Sequence, residues 1–129
     1  VRDLHDDESG SAPVEFVLVG LLLTALTLAV LQLALVVYVR NVVHDAAVEG
    51  AYHGALADVR PIDGAVRAER LIETALGDGL DAEIRADEAV GASGPEVVVT
   101  VRATLPLVGL LGIPAAMEVS AHAPRESFD

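Results

Sequence analysis

From Phe16 to Val39 the chain runs for 24 residues, FVLVGLLLTALTLAVLQLALVVYV, without a formal charge. Its only polar members are Thr24, Thr27, Gln32 and Tyr38. As an α-helix rising ~1.5 Å per residue, such a run covers ~36 Å, more than the ~30 Å hydrocarbon core of a bilayer. The run therefore predicts a transmembrane helix, with Tyr38 placed as an interfacial anchor and Arg40 as the first charge beyond the span. A cleaved signal peptide has a basic start and an apolar stretch of only ~7 to 15 residues. Here the stretch is longer, VRDLHDDESG before it is acidic, and RNVVHDAAVEG after it reads as further helix, so the span is expected to stay in the mature protein.

The rest of the 129 residues is strongly acidic, with 20 Asp and Glu against 8 basic side chains, a net charge of -12. Every basic residue outside histidine is arginine. Phosphate binding needs clustered positive charge and stacking surfaces, so nucleic acid is excluded as a partner. With no cysteine, the chain has neither a disulfide framework nor a thiolate metal site.

Glu15 lies at the N-terminal edge of the apolar run. An ionisable group at a membrane edge is either functional or a simple complement to the positive end of the helix dipole. Gly10, Ser11, Ala12, Pro13, Val14, Glu15 and Phe16, followed by the long apolar helix, make this segment resemble the type IV prepilin class. It is most similar to the TadE-like pseudopilins of tight-adherence (Tad, Flp) pilus systems. In that class a prepilin peptidase cuts after a glycine ahead of the helix and a glutamate stands fifth in the mature chain. The resemblance implies cleavage between Gly10 and Ser11, and Glu15-Phe16 as the characteristic pair.

Such cleavage leaves an ammonium on Ser11, one helical turn from the Glu15 carboxylate. Inside a membrane each charge needs a partner, so Glu15 of one subunit pairing with the Ser11 ammonium of another favours entry into a filament. Pro13 fits the first helical turn, where its missing N–H leaves nothing unpaired. HDAAVEGAYHGAL, residues 44–56, is similar to the Ala-rich segment with a Glu-Gly-Ala core that follows the membrane helix in TadE-like proteins. Relatives usually have a basic leader, whereas Arg2 here is outnumbered by Asp3, Asp6, Asp7 and Glu8. The orientation, leader in the cytoplasm and C-terminal domain outside, is therefore taken from the resemblance.

Nothing breaks the helix between Arg40 and about Leu56, which predicts one helix of about 45 residues, ~65 Å long. Small residues recur at Ala46, Gly50 and Gly54, and in a parallel row at Ala47, Ala51 and Ala55. Rows at this spacing allow another backbone to come close. They serve either subunit packing in a filament or the protein's own sheet. His44 and His53 lie two and a half turns apart and cannot share a metal, and His5 and His122 are isolated, so all four read as solvated or capping residues. Asp45 and Glu49 read as a solvated stripe of like charge.

Pro61 and Asp63 start a second helix, with Ala65, Ala68, Ile72, Ala75 and Leu76 in helical period and Gly77 as its cap. The period then changes to two. Leu80, Ala82, Ile84 and Ala86 alternate with charges, Gly91 to Pro95 is a turn, and Glu96 to Thr104 (EVVVTVRAT) is the strongest strand. Val119, Ala121 and Ala123 alternate with Glu118, Ser120 and His122 as a third. Short strands joined without crossover helices imply a three-stranded antiparallel sheet. Leu105 to Ala116 is an uncharged stretch too short to span a membrane, either a contact loop or a cover for one end of the sheet.

The fold class is thus α+β: a long transmembrane helix continuing outside the membrane, a second short helix and a small sheet, which the resemblance makes pilin-like. The expected divisions are a cytoplasmic leader, 1–10, a transmembrane and extended helix, 11–57, and an extracytoplasmic domain, 58–129. No phosphate loop, nucleophile motif or metal-ligand cluster is present in the sequence, so no catalytic residue, metal or cofactor is expected. The resemblance implies a minor pseudopilin of pilus assembly, adhesion or biofilm formation, with a prepilin peptidase, other pilins and pseudopilins, Tad inner-membrane platform proteins and the bilayer as partners. The alternatives are a membrane-anchored binding module that never polymerises and a pseudopilin of a related type II secretion or DNA-uptake machine.

Overall fold

The structure is a computed structural model and describes residues 10–105 and 115–128. Helix α1 runs Ser11–Ala55, α2 runs Pro61–Leu76, and the strands are β1 (Asp81–Gly91), β2 (Gly94–Leu105) and β3 (Ala115–Pro124). The chain divides into two compact units, one ending at Leu35 and the other starting at Val36.

In the first unit every described residue except the half-buried Gln32 is exposed. Thirteen large apolar side chains stand open between Phe16 and Leu35. At about 1.5 kcal/mol or more for each, leaving them in water costs on the order of 20 kcal/mol, beyond the ~5–15 kcal/mol that holds an ordinary domain together. This helix needs an apolar surrounding.

In the second unit the strands pair in the order β1-β2-β3, both pairs antiparallel. Alternation along β2 puts Val97, Val99, Val101, Ala103 and Leu105 on the buried face. They meet Val39, Val43, Ala46, Ala47 and Ala51 of α1 and Ala68 and Ile72 of α2 in one core. Alanine and glycine dominate the helical side because the backbones come close. A Cβ on Gly64 would lie 2.3 Å from the Gly50 carbonyl oxygen, and one on Gly54 would lie 3.2 Å from the Pro61 carbonyl oxygen.

α2 starts at the expected Pro61. Its N-cap, Arg60, has only donors on its side chain, so Asp63 supplies the acceptor, taking the Arg60 backbone N–H at 3.4 Å. Gly77 ends the helix at φ 70°, its N–H donating to the Glu73 carbonyl.

The strands are longer than the sequence pattern indicates. β1 continues from Ala86 to Gly91, although Glu88, after Asp87, interrupts the alternation. Pairing along the whole of β2, out to Gly91 opposite Gly94, carries it through, and Arg125 pairs with Glu88. The hairpin between β1 and β2 turns on Ala92 and Ser93, with Gly94 at φ 122° where a side chain would be strained. Of the uncharged stretch, Leu105 ends β2 in the core and Ala115 and Ala116 open β3, while residues 106–114 lie outside the described residues.

Candidate functional site

The site begins where α1 begins. Gly10 is an exposed turn residue with nothing within 4 Å of a Cβ placed on it, and the helix starts at Ser11. The Ser11 hydroxyl donates to Glu15 Oε1 at 3.2 Å, one turn along. Phe16, 81 % exposed, follows on the open apolar surface. Gly10, the Glu15 carboxylate and Phe16 thus fall within two helical turns. Of the expected leader, 1–10, residues 1–9 lie outside the described residues.

Polar groups within the apolar run are handled locally. Thr24 and Thr27 each donate Oγ1 to the carbonyl four residues back, Gly20 and Leu23, at 2.8 Å. Such back-bonding satisfies a hydroxyl without a partner outside its own helix, as a lipid setting requires. By length and composition α1 is able to cross a membrane, and its most apolar stretch is wholly unburied.

The family of TadE-like proteins matches residues 10–51. The match starts at Gly10, takes in Glu15, Phe16 and the whole apolar run, and ends at Ala51 within the Ala-rich segment. It spans about a third of the chain. The long apolar helix that the match covers fits a single-pass membrane anchor. No curated protein and no solved structure matches the chain significantly.

The far end of the TadE-like segment lies in the core of the second unit. Ala46, Ala47, Gly50, Ala51, Gly54 and Ala55 are all buried there. Gly50 and Gly54 take the approach of α2 at Pro61, Gly64 and Ala68, so the chain itself fills this small-residue face. The Asp45 and Glu49 stripe is not purely solvated: Glu49 pairs with Arg67 of α2 at 3.3 Å.

The open face of the sheet is polar. Arg102 on β2 stands opposite Glu118 on β3 and donates to it at 2.6 Å, and this hydrogen bond, ahead of the charge attraction, raises the guanidinium pKa. Thr100 and Ser120 bond across the same strand pair at 3.1 Å. His122 is partnered too, its Nδ1 2.9 Å from Glu96 Oε1. Glu83, Arg85 and Asp87 join Thr100, Arg102 and Glu118 in lining a shallow cleft of about 220 Å³ on this face. Both arginines of the cleft are bound to its own acids, Arg85 to Glu83 and Arg102 to Glu118. Among the described residues no three His, Asp or Glu are grouped to hold a metal.

Two features of the second unit escape the sequence reading. Gly64 is one, although a glycine set inside a helical period is itself the signal of a close approach. The charge ladder on the sheet is the other, since it depends on the register that puts Glu83, Arg102 and Glu118 in one row.

Proposed function

We propose that the chain is a minor pseudopilin of a Tad-type pilus, cleaved after Gly10 by a prepilin peptidase and taken into the assembling pilus through its membrane helix. The observation that carries this reading is the TadE-like match, which starts at Gly10 and covers a helix whose apolar surface is left open.

Processing would free the Ser11 nitrogen as an ammonium, at the position from which the Ser11 hydroxyl now reaches Glu15. Within a bilayer that pair is stabilising wherever both charges find partners, either in one chain or between neighbours. A subunit whose Glu15 meets the ammonium of a preceding subunit enters the filament with both charges satisfied. The leader would lie in the cytoplasm and the sheet domain on the other side, with other pilins and the inner-membrane platform proteins as neighbours. Surface adhesion and biofilm formation would follow from the pilus rather than from a pocket in this chain.

The test is the intact mass and N-terminal sequence of the protein extracted from membranes of cells with and without their prepilin peptidase. A peptidase-dependent start at Ser11 supports the pseudopilin. An identical, uncleaved N-terminus in both strains overturns it and favours a permanent membrane anchor.

A further inference from the structure

His53 of α1 and Asp63, Val66, Arg67 and Arg70 of α2 line a cleft of about 290 Å³. Two of these groups are matched within the chain, Asp63 by Arg60 and Arg67 by Glu49. Arg70 has no ion-pair partner among the described residues, whereas Arg85, Arg102 and Arg125 are each paired with an acid. An acid is within its reach, since Glu73 stands three residues on, a spacing at which helical Arg and Glu pair. Arg70 instead borders this cleft, and Glu73 borders the one between α2 and β1. Val66, one turn before Arg70, is 44 % exposed in the same cleft. An unpaired cation and an open apolar side chain thus stand side by side, at the ~5–6 Å Cβ spacing of one helical turn.

The chain carries a segment of the matching chemistry after β3. The backbone N–H groups of Arg125 and Glu126 donate to the Pro95 and Ala55 carbonyls at 2.9 Å, which fixes the start of this tail at the end of α1. Glu126, Ser127 and Phe128 are exposed, Phe128 by 86 %, and Glu126 has no ion-pair partner among the described residues. In an extended segment, residues two apart point the same way and stand ~6.6 Å apart. Glu126 and Phe128 therefore match the spacing of Arg70 and Val66.

The tail does not fill the cleft of its own chain, because Phe128 is open. Gly50 lies against Gly64 and Ala68, and Gly54 against Pro61, so α2 runs back along α1 and carries Arg70 beyond Gly50. Glu126, tied at Ala55, is thus at least ~8 Å away along the helix axis, at ~1.5 Å per residue.

We propose that the cleft receives the Glu126–Phe128 segment of a second copy of this chain, Glu126 on Arg70 and Phe128 on Val66. The contact is head-to-tail and displaced along α1, so it leaves a free tail on one copy and a free cleft on the other and repeats without closing. At ~0.15 M salt, charges more than ~8 Å apart are largely screened, so the net charge of -12 does not hold copies apart while the contact pair keeps its attraction. Both surfaces belong to the sheet domain, so failure of this contact leaves cleavage after Gly10 untouched.

The test uses the full chain in detergent micelles, where no bilayer holds copies level. The chain has no cysteine, so single cysteines mark the two surfaces: Ser127→Cys in one population and Ile62→Cys, one turn before Val66, in another. A short bismaleimide should join one of each. Arg70→Glu in the Ile62→Cys population should lower the yield at least fivefold, as should Glu126→Arg in the Ser127→Cys population. The two reversals together should bring it back to within twofold of the start, and Phe128→Ala should lower it at least threefold. All five positions are exposed, so the variants are expected to fold. A yield no greater than that from an Asp45→Cys control would reduce the effect to collision within micelles and overturn the proposal. Failure of the paired reversals to restore the yield would do the same. So would joining within one chain that carries both cysteines, the mark of a tail folded onto its own cleft.

Discussion

A Cβ on Gly64 would stand 2.3 Å from the carbonyl oxygen of Gly50, with the Cα of Gly54 at 3.1 Å, so α1 and α2 touch backbone to backbone. No rotamer change relieves such a contact, because the neighbours are main-chain atoms. Gly64→Ala should destabilise the domain by about 2 kcal/mol or more, the steric cost outweighing the ~1 kcal/mol gained in helix propensity. Gly79→Ala, where a Cβ meets nothing within 4 Å, should change stability by less than about 0.5 kcal/mol. Chemical unfolding of both variants in micelles checks the contrast.

The sheet offers a second contrast, between neighbours on opposite faces of β2. Val101 is fully buried, between Ile84 on β1 and Val119 on β3, while Val98 is half-buried on the polar face. Val101→Ala should cost about 2–3 kcal/mol, for two lost methyl groups and the cavity they leave. Val98→Ala should cost less than about 1 kcal/mol by the same scale. Similar losses at both sites would mean that the open face is covered.

At the start of α2, the Arg60 guanidinium donates to both carboxylate oxygens of Asp63, at 3.0 and 3.1 Å. This hydrogen bonding holds the Asp63 carboxyl below its ordinary pKa of 3.8. A depressed carboxyl contributes stability that is fully present above its unfolded pKa and is lost as pH falls through the native one. Stability should therefore decline below about pH 4 in part through Asp63, and Asp63→Asn should flatten that part of the profile, its deficit being largest at neutral pH and vanishing at low pH. Unfolding midpoints at pH 7, 4 and 2.5 measure it, and identical profiles for the two proteins would contradict the linkage.

Glu15 separates processing from assembly. Glu15→Ala removes the carboxylate next to Ser11 without altering Gly10, so the variant should be cleaved normally but fall at least tenfold in the sheared pilus fraction, as read by immunoblot. Normal incorporation would rule out the charge pairing between subunits. Glu15→Gln, which keeps the shape and the hydrogen bond to Ser11 but not the charge, should resemble Glu15→Ala if charge is the operative property.

The apolar run from Phe16 to Val39, the helical period from Ala65 to Leu76 and the alternation of Glu96 to Thr104 were enough to read α+β with one long helix. Each is a local pattern in which hydrophobicity and backbone period agree, and local agreement survives in the fold. The TadE-like signature is likewise local, held within residues 10–51. What the sequence left open was set by contacts between distant residues. Ala46 to Ala55 offered a close-packing face without saying what packs on it, and the answer came from Gly64 and Ala68, brought there by the turn at Arg60. β1 ran past its own alternation because β2 supplied ladder partners out to Gly94, and Glu49, Glu88 and His122 found Arg67, Arg125 and Glu96 only once helices and strands were in register. Hydrophobic period fixes which face of an element is buried; the partner on that face depends on topology and register, which no single segment encodes.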